Sequence, residues 1–162
     1  MCTIVIDTNI IAPSVIKNSG PKRRKIITYL TLLENDSVKI GVDKGGLIEK
    51  QYHKYIRQDM DLQNWWVKMQ EFRLIDRYSI PKSKRGPYPD DNMHKLNEVD
   101  KMLLDIAAYV DSKILVTEDS DFYKDKTLKQ PHPVVKKRGV KLKKFNESFA
   151  DLRKGLYKKE QK

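Results

Sequence analysis

Cysteine is almost missing from this chain: Cys2 is the one example in 162 residues. A lone cysteine forms no intrachain disulfide, which fits a reducing, cytoplasmic setting. Histidine is scarce as well, and His53, His94 and His132 show no zinc-ligand spacing with each other or with Cys2. Apolar runs are short. None approaches the roughly 20 residues that span a bilayer, so no membrane partner is expected. The opening MCTIVID lacks the basic start and long apolar stretch of a signal peptide. What is present suits one ordinary domain: 39% apolar and 9% aromatic residues supply a core despite 34% charge.

Acids are the minority charge, and their shortage is uneven. The net charge is +11, from 33 Lys and Arg against 22 Asp and Glu. Residues 122–162 hold 14 Lys and Arg against 4 Asp and Glu, a net of +10, so residues 1–121 are nearly neutral. A basic segment of this kind points to an anionic partner, nucleic acid before membrane, because no basic amphipathic helix with an aromatic face accompanies it. The plainer alternative is a solubilising tail.

Periodicity gives alternating strands and helices. Thr3-Ile4-Val5-Ile6 is too short and too β-branched for a helix and reads as a buried strand. Val38 to Val42, a brief stretch around Leu74-Ile75, Lys113 to Thr117 and an edge strand in Val140 to Phe145 complete the set. Helices are expected after Asp7-Thr8-Asn9, over Pro21 to Glu34, Leu47 to Ile56, Asp61 to Phe72, Asn97 to Val110 and Asn146 to Tyr157. Lys22-Arg23-Arg24-Lys25 gives the second of these a basic first turn, unfavourable to the helix dipole unless an acid lies near. Residues 80–95, with three Pro, read as a long loop. This order predicts one three-layer α/β/α domain with a central, mostly parallel sheet.

Two strands end in acids, Ile6-Asp7 and Thr117-Glu118-Asp119. Ligands of open parallel sheets bind beyond the carboxyl ends of strands, so both acids stand where chemistry is expected. Each also has a local role available, Asp7 as a helix cap and Asp119 in an Asx turn. On the wheel of the 97–110 helix, Asp100 borders the buried stripe of Val99, Leu103, Ile106, Ala107 and Val110. Asp105 projects away from Asp100 and is expected at the surface, paired with Lys101. Asp100 is therefore the better catalytic candidate, with service to the helix dipole as its alternative. Glu49 is the fourth acid, with pairing to His53 as its alternative. Four gathered acids repel unless a cation joins them, and all-oxygen ligands suit Mg²⁺ or Mn²⁺. Such a site activates water for attack on a phosphodiester.

The stretches IVIDTNII, LIEK around Glu49, DKMLLDIAA from Asp100 and ILVTEDSDF together resemble PIN-domain nucleases, the ribonuclease fold that includes VapC-type toxins. The resemblance frames residues 1–122. It implies Asp7, Glu49, Asp100 and Asp119 as the catalytic acids, with the metal on Asp7, Asp100 and Asp119, and auxiliary roles for Asn9, Thr117 and Asp121. Asp105-Ile106-Ala107-Ala108 is a second local match for the third acid. Asp100 lies 17 residues before Thr117 and Asp105 only 12, and the longer spacing is nearer the family's. The resemblance implies an Mg²⁺- or Mn²⁺-dependent endoribonuclease with RNA as substrate. It leaves open an antitoxin-like inhibitor protein and a homodimer. Residues 1–145 read as the PIN-like domain, and 146–162 as a basic helix or tail packed on it or extending from it.

Basic residues expected to hold the nucleic acid are Lys22, Arg23 and Arg24 near the first helices, Lys82, Lys84 and Arg85 in the loop, and Lys136, Lys137, Arg138, Lys141 and Lys143 in the basic quarter. Tyr88 is a candidate for base stacking, whereas Trp65 and Trp66 lie on an apolar stripe and read as core. Two other functions compete. A silent PIN-like module would bind RNA without turnover. A haloacid-dehalogenase-type phosphatase is disfavoured because Asp7-Thr8-Asn9 lacks the second Asp two residues on.

Overall fold

The computed structural model describes residues 2–16, 20–88, 96–124, 127 and 129–158. The β-branched opening forms β1 (Thr3–Ile6), with Ile4, Val5 and Ile6 out of solvent. A strand apolar along its whole length requires cover on both faces. The chain continues through α1 (Thr8–Ile16), α2 (Pro21–Asn35), β2 (Lys39–Asp43), α3 (Leu47–Ile56), α4 (Met60–Glu71) and β3 (Ile75–Tyr78). It then forms α5 (Glu98–Tyr109), β4 (Ile114–Val116), α6 (Pro133–Lys137), β5 (Lys141–Lys143) and α7 (Phe145–Arg153).

All strand pairs are parallel, in the order β3-β2-β1-β4-β5. From β1 the chain steps outward to β2 and β3, then returns across the sheet to lay down β4 and β5 on the other side. Right-handed crossovers put α5 on the opposite face from the helices that join β1, β2 and β3. Accordingly α5 packs across β2, β1 and β4, while α1 to α4 and α7 pack on one another. The result is the expected three-layer α/β/α domain. Gly41 allows α5 its close approach, since a Cβ there would stand 3.2 Å from the Ile106 Cγ2 methyl.

The expected strands and helices are present, with shifted edges, one added α-helix and short 3₁₀ turns. The third strand begins at Ile75, after Arg73 takes a left-handed φ of 55°. The short helix α6 was not foreseen; His132 caps it and Pro133 starts it. The last helix ends at Arg153, because Gly155 turns the chain with φ 67° into a separate turn over Leu156–Lys158. Its side chains reach the core: Ser148 is bonded to both Tyr29 and Tyr157, and Phe145 meets the Tyr29 ring edge-on. Trp65 and Trp66 are buried, Trp66 edge-on to Tyr52. Acids answer the basic first turn of α2, as Arg23 lies against Asp59 (2.9 Å) and Asp61 (2.6 Å). Of the loop 80–95, residues 80–88 contain a 3₁₀ turn at Lys82–Lys84; residues 89–95, His94 included, lie outside the described residues.

Candidate active site

Because every strand runs the same way, all carboxyl ends share one edge of the sheet. The chain reverses its direction of travel between β1 and β4, which makes their carboxyl ends the switch point where a ligand crevice is expected. Asp7 follows β1 and Thr117 follows β4, pinned side by side where the Asp7 N–H donates to the Val116 carbonyl at 2.9 Å. Thr117 donates its hydroxyl to Asp7 Oδ2 at 2.7 Å. The same Thr117 oxygen accepts from the Asp119 N–H at 3.0 Å and from the Asn9 amide at 3.4 Å. Asn9 Oδ1 in turn accepts from the Glu118 N–H at 3.4 Å. Asn9 and Thr117 thus lace the two strand ends together around Asp7.

Each acid also fills its local role. Asp7 Oδ1 accepts from the Asn9 N–H at 3.3 Å, opening α1. Asp119 Oδ1 accepts from the Asp121 N–H at 2.9 Å. Asp100 closes a capping box with Asn97, each side chain taking the other's backbone N–H. A cap and a site residue are not exclusive here, since a carboxylate has two oxygens and more than two lone pairs.

Burial and mutual repulsion then set the electrostatics. Asp7 is 4% exposed and Asp100 6%. Desolvation raises the Asp7 carboxyl above its ordinary value, with the field of Asp119 adding to it against the lowering by Thr117 and Asn9. The Asp100 carboxyl is pushed up to about 6, first by burial and then by the charges of Asp7, Asp119 and Asp121, against its hydrogen bond from Asn97. Asp7, Asp100, Asp119 and Asp121 therefore share one electrostatic neighbourhood. Beneath Asp7, the buried Tyr52 hydroxyl donates to the Ile6 carbonyl, closing the floor.

Glu49 is placed differently. It pairs with Arg77 of β3 rather than with His53, at 2.9 and 2.7 Å in a two-point contact. The other strand-end acid, Asp43, accepts from Leu47 and Ile48 N–H groups at 2.8 and 2.7 Å and caps α3. Among the described residues, no three His, Cys, Asp or Glu side chains stand close enough to hold an ion jointly as placed.

Compared with known proteins, the chain matches no family model, no curated protein and no solved structure.

Asp105 corrects one expectation outright. It is 4% exposed, not a surface acid, and Lys101 pairs with Glu98 instead. Asp105 takes Arg138 at 2.8 Å, the Tyr88 hydroxyl at 2.6 Å and the Gly86 N–H at 3.0 Å. Arg138 also reaches the Lys84 carbonyl at 3.0 Å and lies over the Tyr88 ring. Arg138 and Tyr88 are therefore engaged inside the protein, clasping the 80–88 segment to α5. The wheel missed this because it registers only which face of α5 meets the sheet, while the loop covers a second face.

The remaining basic residues divide in two. Arg23 is held by Asp59 and Asp61, Lys143 pairs with Asp151, and the Arg85 guanidinium donates to the Ile80 carbonyl. Lys22, Arg24, Lys82, Lys84, Lys136, Lys137 and Lys141 are exposed, with no acidic partner among the described residues. Lys136 and Lys137 line a groove of about 700 Å³ with Lys124.

Proposed function

We propose that this chain is a metal-dependent endoribonuclease of the PIN-domain kind, cutting RNA at the crevice between β1 and β4. One observation carries the reading: Asp7 and Asp119, far apart in the chain, follow neighbouring strands at the sheet's switch point and are joined through the Thr117 hydroxyl. Asp7 and Asp100 are buried, with half-buried Asp119 adding to their field. Buried like charges are costly for a fold, and a cation is what would relieve them.

The donor set suits such an ion. It offers carboxylate oxygens without thiolate or imidazole, the preference of Mg²⁺ or Mn²⁺. Asp7, Asp100 and Asp119 would hold it after closing together, since as placed no three acids among the described residues reach one ion. When bound it would polarise a phosphoryl oxygen and activate water. The chain's own residues prepare the site. Thr117 and Asn9 fix the Asp7 carboxylate, and Asn97 fixes Asp100 at the first turn of α5. Asp100, its carboxyl pushed up to about 6, is mostly ionised at neutral pH and so offers its oxygens to a cation. Asp121, two residues beyond Asp119, adds negative field. The exposed lysines at the margins supply phosphate contacts, which are common to RNA and DNA. RNA as the substrate, an inhibitor protein and self-association rest on the resemblance alone.

A second reading is a silent module that binds RNA without cutting it. The pairing of Glu49 with Arg77 favours it, since a catalytic role for Glu49 would require Arg77 to release it. Cleavage of a labelled RNA in Mn²⁺ separates the two. Asp7→Asn and Asp119→Asn are each expected to lower the rate at least about a hundredfold while leaving RNA affinity in EDTA within about twofold. Undiminished cleavage in both variants removes the nuclease reading, and binding by the native chain without product over long incubation establishes the module.

A further inference from the structure

The exposed face of α3 carries Lys50 and Lys54, and Arg57 continues the row at the C-cap, spaced i, i+4 and i+7, on a helix that buries Ile48, Tyr52 and Ile56. These cations line a shallow groove of about 760 Å³ along the helix surface, from Gly46 near the carboxyl edge of the sheet to Gln58. No acid among the described residues pairs with Lys50, Lys54 or Arg57. Glu49, which also lines the groove, is paired with Arg77. Residues 50 to 57 span about 10 Å of helix, so the charges form a line rather than a point.

A second, more apolar hollow of about 360 Å³ adjoins this groove and shares His53 and Arg57 with it; Trp66 and Val67 line its wall. A row of cations beside an apolar hollow suits a ligand that has both a repeating anionic backbone and flat apolar groups. A nucleic-acid strand has both.

We propose that the α3 groove binds the phosphodiester backbone of a nucleic-acid strand, on Lys50, Lys54 and Arg57, next to the acid crevice. The assignment rests on the reading of the chain as a nucleic-acid enzyme, and it adds a binding track on the β2 side of the crevice. The basic quarter of the sequence lies on the β5 side, so a strand held by both would cross the acids.

The test is fluorescence anisotropy of a short labelled single-stranded RNA on the full chain, in EDTA so that binding is read apart from cleavage. The variant Lys50→Gln/Lys54→Gln/Arg57→Gln is expected to bind about tenfold or more weakly near 0.1 M salt. Its plot of log affinity against log salt should be shallower by about 2, three contacts at roughly 0.7 each for a single strand. DNA of the same sequence should show the same loss. The single reversal Lys50→Glu, on an exposed position, repeats the test with one change should the triple variant melt early. Unchanged affinity and slope in a folded variant, or no RNA binding by the native chain, overturns the proposal. Equal competition by inorganic polyphosphate, charge for charge, overturns the assignment to nucleic acid. The nuclease reading fails separately, through the Mn²⁺ cleavage assay, and a chain that binds through α3 without cutting keeps this groove while losing that reading.

Discussion

Asp100 shows most plainly how a single residue serves two ends. Its position at the third residue of α5 lets it accept the Asn97 N–H, a cap that stabilises the helix. The same position buries the carboxyl beside Asp7, Asp119 and Asp121, which raises its pKa to about 6 from 3.8. Between these two values the folded chain binds more protons than the unfolded one. The stabilising contribution of the protonated carboxyl is thus complete below about 4 and is lost as the pH rises through about 6. Asp100→Asn keeps the accepting oxygen and removes the charge. In EDTA it should melt a few degrees higher than the native chain at pH 7.5, with the gap closing toward pH 4. A variant that melts lower at pH 7.5 would show that Asp100 acts there only as a cap.

Among the elements, the clasp between α5 and the 80–88 segment reverses the role given to Arg138. A cation in a basic run reads as a phosphate contact, yet this one lies against a buried acid under a tyrosine ring. Removing one partner of a buried pair leaves the other charge uncompensated. Arg138→Met should therefore cost about 3 kcal/mol in urea unfolding and leave the salt dependence of RNA binding unchanged; a shallower salt slope with full stability would return Arg138 to the nucleic acid. The sequence could not reveal this clasp, because Asp105, Tyr88 and Arg138 are distant in the chain and no local pattern links them. What is local was legible. Asn97 with Asp100 is readable as a cap, and Val38 to Val42 as a strand. The α3 stripe was also in plain view, as Lys50, Lys54 and Arg57 fall opposite the apolar positions of their own helix. Contrast within the near-neutral first three quarters of the chain was the signal, and the louder charge of the last quarter masked it.

At the scale of the whole molecule, parallel strands and a single reversal of direction do the assembling. Asp7 and Asp119 are 112 residues apart in the chain, and both follow strands that neighbour each other at the switch point. Alternating strands and helices were enough to anticipate the layered, mostly parallel sheet; the strand order that makes β1 and β4 neighbours was not readable from them. Side-chain spacing at the site was not readable, because it depends on caps and loop packing at a resolution that periodicity does not carry. Charge is laid out to match: acids in the central crevice, exposed cations on α3 to one side and on α6 and β5 to the other. No helix among the described residues is long and apolar enough to cross a membrane.

The claim that the crevice is a cation-dependent site is tested most directly by thermal melting at pH 7.5, with and without Mn²⁺. A ligand at about a hundred times its dissociation constant stabilises by about 2.7 kcal/mol. The native chain should therefore melt several degrees higher in saturating Mn²⁺, and Asp7→Asn/Asp119→Asn should show no such rise. A native chain indifferent to Mn²⁺, or a double variant that rises equally, would contradict the account.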